Sequence, residues 1–226
     1  MSGGKQMIGA LTIGQSPRTD VILEIREFFG DAEILQAGAL DGLSRVEIDA
    51  LAPEAGSGDV LVSRLNDGTW ATMAEEKLIP LLQRQAEALC AGGAKLLVLL
   101  CTGKFPDVLR VGVPVIYPQR LLYAVVPVLS GGRRVGVVNP DAKQLEQSRR
   151  NWGGALEDVF AMAANPYQQD TDWDAVAETL QKECVELIVL DCIGYSRAVK
   201  SIIEEKTGKP VILPRTLLAR VVGELL

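Results

Sequence analysis

The chain has 226 residues, 48% hydrophobic and 23% charged, a globular composition that rules out intrinsic disorder and can bury a sizeable core. Acidic residues outnumber basic ones 29 to 23, and the net charge of −6 excludes a nucleic-acid surface built on excess positive charge. Histidine is absent, which removes Ser-His-Asp and Cys-His catalysis and the commonest transition-metal ligand.

No apolar run reaches the ~18 residues that a spanning helix needs. The N-terminal residues lack the apolar segment and cleavage site of a signal peptide. The expectation is therefore a cytoplasmic protein bound to neither membrane nor nucleic acid. Its four cysteines (Cys90, Cys101, Cys184 and Cys192) are expected as free thiols, and the lack of a Cys-x-x-Cys pair argues against zinc. Proton transfer near neutral pH then falls to Cys, a perturbed carboxylate, Lys or Tyr.

In chain order, the pattern predicts an apolar strand over 7–13 and a helix from Pro17 to Phe29 behind a Ser-Pro start. Strands follow over 32–38 and 58–65, the second turning through Asn66-Asp67-Gly68 into Thr69–Met73. Glu75–Ala91 reads as a long amphipathic helix stopped by Gly92-Gly93. A buried strand over 95–100 leads to a short helix near Phe105–Leu109, a strand over 113–117 and a helix near 121–129. The second half opens with a strand over 134–138 and a helix from about Asp141 to Arg149. Residues 156–163 read as strand or helix, and 172–184 as helix. Strands over 186–190 and 210–213 flank a helix from Ser196 to Lys206, and the chain closes with a helix over 217–226.

The chain carries an internal repeat. Thirteen positions starting at Pro114 and thirteen starting at Pro210 share eight identities, at an offset of 96. Cys101 and Cys192 are offset by 91, and Ile8-Gly9 and Val135-Gly136 by 127, so the first copy holds about 36 more residues before its cysteine. Short Val/Ile/Leu runs without polar alternation, separated by helices, mark parallel strands covered on both faces. The expected fold is therefore α/β, with two similar doubly wound parallel-sheet lobes related by a pseudo-two-fold axis and a cleft between them. Residues 1–118 with the returning helix of 215–226 would form one lobe, and 119–214 the other. Functional groups of open parallel sheets gather at the strands' carboxyl ends. Cys101 and Cys192 both stand there, facing each other across the cleft, whereas Cys90 and Cys184 lie at the opposite end and read as structural. The plainer reading of either cysteine is a small buried apolar residue.

Three stretches, Leu11–Asp20 (LTIGQSPRTD), Leu100–Pro106 (LCTGKFP) and Asp191–Ser196 (DCIGYS), carry a resemblance to the AroM family over essentially the whole chain. That family resembles the aspartate/glutamate racemase superfamily, with two α/β lobes and one cysteine from each. The resemblance implies chemistry without a cofactor at a carbon next to a carboxylate, as in amino-acid and hydantoin racemases, maleate isomerase and arylmalonate decarboxylase. Racemase loops of that superfamily typically read Cys-Asn-Thr and Cys-Thr-His. Here they read Cys101-Thr102-Gly103 and Cys192-Ile193-Gly194.

The expected activity is thus racemisation or isomerisation of a small carboxylate, with Cys101 and Cys192 as the acid/base pair. Amides of the Thr102-Gly103 and Ile193-Gly194 loops are placed to donate toward sulfur and ease thiolate formation. Gly14, Gln15, Ser16 and Arg18, at the end of the first strand, read as a carboxylate site, with Arg18 able to pair bidentately. Asn139 holds the equivalent place in the second copy, where Asn-Pro also makes a good turn. Thr102 and Tyr195 bring hydroxyls near the thiols; Ser196 does too, although a helix N-cap suffices to explain it. Asp191 reads either as a supporting base or as a charge that raises the thiol pKa. Two alternatives stay open: a single-cysteine alkene isomerase or decarboxylase, and a non-catalytic metabolite-binding protein linked to aromatic biosynthesis. A homodimer is compatible with all three.

Overall fold

A computed structural model describes residues 6–54, 58–105, 107 and 109–226 of the chain. Its first half runs β1 (Met7–Thr12), α1 (Thr19–Ile25), β2 (Glu33–Gly38), α2 (Arg45–Asp49), β3 (Val60–Arg64), β4 (Trp70–Ala74), α3 (Glu75–Ala91), β5 (Leu96–Leu100), β6 (Val115–Ile116) and α4 (Pro118–Ser130). The second runs β7 (Val135–Asn139), α5 (Leu145–Gly153), β8 (Val159–Ala163), α6 (Trp173–Lys182), β9 (Leu187–Leu190), α7 (Arg197–Thr207), β10 (Val211–Ile212) and α8 (Pro214–Gly223). Among the described residues no helix is long and apolar enough to cross a membrane.

Two four-stranded parallel sheets result, ordered β2-β1-β5-β6 and β10-β9-β7-β8. Read from its opening strand, each sheet has the same order, as a duplicated unit requires. The likeness reaches single residues. A side chain on Gly9 would collide with Leu89, Ala94 and Leu97, and one on Gly136 with Leu180 and Val185. Leu89 and Leu180, like Ala94 and Val185, sit at the cysteines' own offset of 91. In both halves a bare α-carbon on the opening strand lets the helix before the cysteine strand settle against the sheet.

The central strands are buried on both faces, which explains their unbroken apolar runs. In β5, Leu97 and Leu99 face one core and Leu96, Val98 and Leu100 another. In β9, Ile188 and Leu190 face a third core and Leu187 and Val189 a fourth. The period of two carries past the strand ends, so Cys101 belongs with Leu97 and Leu99, and Cys192 with Ile188 and Leu190. The closing helices are exchanged. Leu122 and Val126 of α4 pack under β7 and β9, while Leu218, Ala219 and Val222 of α8 pack under β1 and β5.

Several boundaries differ from the sequence pattern. The first helix is α1 followed by a 3-10 turn over Arg26–Phe29, ending at Gly30 with φ 52°. Residues 159–163 are strand β8, hydrogen-bonded along β7. Both closing helices begin earlier than expected, at Pro118 and Pro214, because proline suits the first helical position where no N–H donor is needed. The described residues of 105–109 form no helix, while Pro106 and Val108 lie outside the description. Helix α2 has no counterpart in the sequence reading, although Ser44 and Glu47 complete a capping box that announces it.

The extra length of the first copy includes the antiparallel hairpin β3-β4. It reaches across to the second half, where the Val60 N–H donates to Gln147 Oε1 and the Val60 carbonyl accepts from Gln144 Nε2, both at 2.8 Å.

Candidate active site between the two cysteine loops

Cys101 follows β5 directly, and Cys192 comes two residues after β9. Both line one cavity, about 320 Å³ including its open mouth, with Arg18, Tyr167 and Asp191 in its wall and Leu61, Val62 and Ser63 of the hairpin across it. The two loops share a backbone device. The Gly103 N–H donates to Cys101 Sγ at 3.3 Å, and the Gly194 N–H donates to Cys192 Sγ at 3.4 Å. Each amide lies two residues after its sulfur and favours the thiolate.

Burial opposes that help. It pushes the Cys101 thiol up to about 12, against the Gly103 hydrogen bond, and nearby Cys192 and Asp191 push in the same direction. Burial also raises Cys192, but Cys192 has a second partner: the Tyr167 hydroxyl lies 3.5 Å from its sulfur. The positive charge of Arg18 favours both thiolates. Cys192 is therefore the better-supported thiolate of the two.

Arg18 is buried, with Nε and Nη2 paired to Asp20 at 2.9 and 2.8 Å. Burial works against its charge, but Asp20 prevails and the guanidinium stays protonated. The Nε/Nη2 edge of its fork is thus spent within the protein, and what remains for a ligand in the cavity is Nη1, the second Nη2 hydrogen and the field of the charge. The rest of the N-terminal loop serves the scaffold. Gly14 lets Ser63 and Arg64 of the hairpin approach its α-carbon. Gln15 Oε1 accepts from the Asn66 N–H, holding the hairpin turn, and Ser16 donates through N–H and hydroxyl to Asp41. None of Gly14, Gln15 and Ser16 lines the cavity.

Thr102 and Gly103 line this cavity and a neighbouring polar cleft, and Asn139 lines the cleft alone. Asn139 spends its amide N–H groups on the carbonyls of Val137 and Met162. Gly194 supplies its amide to sulfur, and its missing side chain makes room for the Tyr167 ring. Tyr195 is fully buried, donates to the Ala164 carbonyl at 2.6 Å and stays out of the cavity. Ser196 caps α7 by accepting from the Val199 N–H.

Asp191 is partly buried beside Cys192. Burial holds its carboxyl up at about 6, against hydrogen bonds from Trp152 Nε1, at 2.8 Å, and Thr102. Two residues emerge that the sequence reading passed over. Tyr167 sits in the loop after β8, a strand carboxyl end that the strand-end rule could have flagged. Arg215 opens α8, where nothing local marks it. Its Nε and Nη2 both donate to the Ile193 carbonyl, at 3.0 and 2.7 Å, while Nη1 reaches the Asp20 carbonyl and Glu24, each at 2.9 Å. Arg215 thereby ties the Cys192 loop to α1. Its pKa is lowered by burial, which the carboxylates of Glu24 and Asp20 only partly offset.

Comparison with known proteins agrees with this architecture. The AroM protein family model matches residues 8–226. No curated protein matches. Among solved structures, the glutamate racemase from Aquifex pyrophilus superposes with a TM-score of 0.62 at 18% identity, over 98% of this chain and 84% of that one. The allantoin racemase from Klebsiella pneumoniae gives 0.58 at 16%, over 98% and 87%. Unliganded arylmalonate decarboxylase gives 0.58 at 14%, over 98% and 92%. At these identities the likeness is one of fold.

Proposed function

Since the chain belongs to the AroM protein family and has the two-lobed fold of Asp/Glu racemases, we propose that it is a cofactor-independent racemase or isomerase of a small carboxylate. One observation carries the reading: two thiols from equivalent places in a duplicated fold line a single cavity, each with its own backbone amide. Structural cysteines have no need of a common cavity or of matched donors.

In this mechanism Cys192, as thiolate, removes the α-proton of the bound acid. The electrons of the C–H bond pass into the carboxylate as an enediolate, whose added charge Arg18 stabilises. The neutral Cys101 thiol donates its proton to the opposite face of the same carbon, becoming the thiolate. The product leaves inverted and the two sulfurs have exchanged protonation states. The reverse reaction, or exchange with water, resets them. A protonated Cys101 is what a thiol held near 12 supplies.

The test is solvent deuterium incorporation at the α-carbon of candidate acids by wild type, Cys101→Ser and Cys192→Ser. Racemisation is expected to vanish in both variants, and equal exchange in all three rejects the proposal. The unequal support of the two sulfurs favours a second reading, in which one cysteine alone protonates a carbanion left by decarboxylation or alkene isomerisation. Full turnover in Cys101→Ser or in Cys192→Ser would select it.

A further inference from the structure

Beside the cysteine cavity lies a polar cleft of about 360 Å³ including its open mouth. The two share Thr102, Gly103, Gln144 and Asp191, so a molecule with one carbon between the sulfurs can extend into the cleft. Its wall is unusual in what it leaves unpaired. Ser148, on α5, is only 5% exposed, and its hydroxyl has no hydrogen-bond partner. Gln144 spends its Nε2 on the Val60 carbonyl, while its Oε1 is buried and unpartnered. Desolvated polar atoms without partners are costly and rare in native proteins. Two on one cleft wall point to a ligand that supplies what they lack.

The one kind of partner that both can take is a donor. Gln144 Oε1 only accepts, the Ser148 hydroxyl can accept, and the Asp191 carboxylate keeps acceptor capacity beyond its bonds from Trp152 and Thr102. Lys104 lines the cleft, but its side chain is exposed. Arg18 belongs to the other cavity and is paired with Asp20. A second carboxylate entering here would meet Asp191 and Gln144 Oε1, with the Ser148 hydroxyl able to donate to it but no buried cation to hold it, at a cost of a like-charge contact.

Resting on the proposed reaction, we propose that this cleft is the pocket that selects the substrate's distal group, and that it takes an N–H donor: a primary amide, a ureido group or an ammonium. Gln144 Oε1, Ser148 Oγ and Asp191 receive its hydrogens. The substrate class is a small carboxylate with a nitrogen-bearing side chain, and dicarboxylates are rejected.

Binding of matched pairs tests this, using the Cys101→Ser/Cys192→Ser protein so that nothing turns over. Asparagine against aspartate and glutamine against glutamate compare amide with carboxylate. 2-Amino-3-ureidopropionate and 2,4-diaminobutyrate supply the ureido and ammonium arms. Calorimetry is expected to favour the nitrogen-bearing partner by about tenfold or more, the size of one buried hydrogen bond to a charged acceptor. Ser148→Ala is expected to cut that preference several-fold, and Asp191→Asn to shift it toward the acid. Binding of alanine, which does not reach the cleft, is measured alongside as the reference for each ratio. Equal or stronger binding of the dicarboxylates, a ratio unmoved by both substitutions, or no binding by any of these acids overturns the proposal. A clear preference for nitrogen with no α-exchange by wild type would instead retire the racemase reading and leave the pocket in place.

Discussion

The loops at Cys101 and Cys192 have the same backbone and different company. Each sulfur takes an amide from the glycine two residues on. Beyond that the surroundings part. Cys101 follows Leu100, which is core, and a side chain on Gly103 would strike Leu61 of the hairpin. Cys192 follows Asp191, sits within reach of the Tyr167 hydroxyl, and has its loop anchored from behind by Arg215. The repeated backbone places the two sulfurs alike, and the side chains around them differ. The symmetric half of the site places two sulfurs; the asymmetric half decides which of them ionises first.

The largest expected effect tests that division directly. Loss of an acid/base group costs about 10²- to 10⁴-fold, so both serine variants should abolish racemisation. They should differ in isotope exchange: Cys101→Ser still exchanges the α-hydrogen of the one enantiomer that Cys192 deprotonates, and Cys192→Ser exchanges only the other. Proton NMR in D₂O on each pure enantiomer reads this, and identical behaviour of both enantiomers would dissolve the assigned roles.

Next comes Arg215, which has no counterpart at the first loop, where Gln119 holds the equivalent place. Arg215→Met leaves Glu24 with the Arg197 N–H and frees the Ile193 carbonyl. A hydrogen bond to a charged group is worth about 1.5–3 kcal/mol, and the loss of those that Arg215 makes is readable as a lower urea midpoint. Preserved stability together with normal Cys192 reactivity would show that the tether is idle.

Asp191 gives a pH signature that Leu100 cannot. Its carboxyl titrates at about 6 in the folded chain against 3.8 when unperturbed, so the folded state binds the proton more tightly than the unfolded state. Its contribution to stability is therefore complete below about pH 4, declines as pH rises to 6, and is level above. The decline amounts to about 3 kcal/mol by linkage. Asp191→Asn should flatten that part of the stability–pH curve, and an unchanged curve would mean that Asp191 is better solvated than its burial implies.

Smallest is the effect of Tyr167→Phe, which removes the hydroxyl near Cys192 and nothing near Cys101. A hydrogen bond to a charged group is worth about 1.5–3 kcal/mol, so the Cys192 alkylation profile should move up by about one to two pH units. Mass spectrometry of iodoacetamide-labelled peptides separates the sites, and an equal shift at both sulfurs would break the comparison.

The sheets were legible in the sequence because a strand buried on both faces has to be apolar throughout. The cysteines were legible because a repeat makes one residue's position evidence for the other's. What escaped was set by distance along the chain. Tyr167 meets Cys192 from 25 residues away, Gln147 meets Val60 from 87, and Arg215 meets Asp20 from 195. No local period records such meetings. Arg18 shows a subtler limit: its place beside the cavity follows from the strand end, but its pairing with Asp20, two residues on, depends on a loop conformation that residue types alone do not dictate.

The exchanged closing helices carry a consequence for either half taken alone. One half standing alone would leave the floor of its sheet bare to water, with its own last helix reaching away from it. Two identical copies, each lending that helix to its neighbour, would restore both floors and bring their lone sulfurs together at the seam. A chain of half this length would therefore need a second copy to cover its sheet and to bring two sulfurs to one seam.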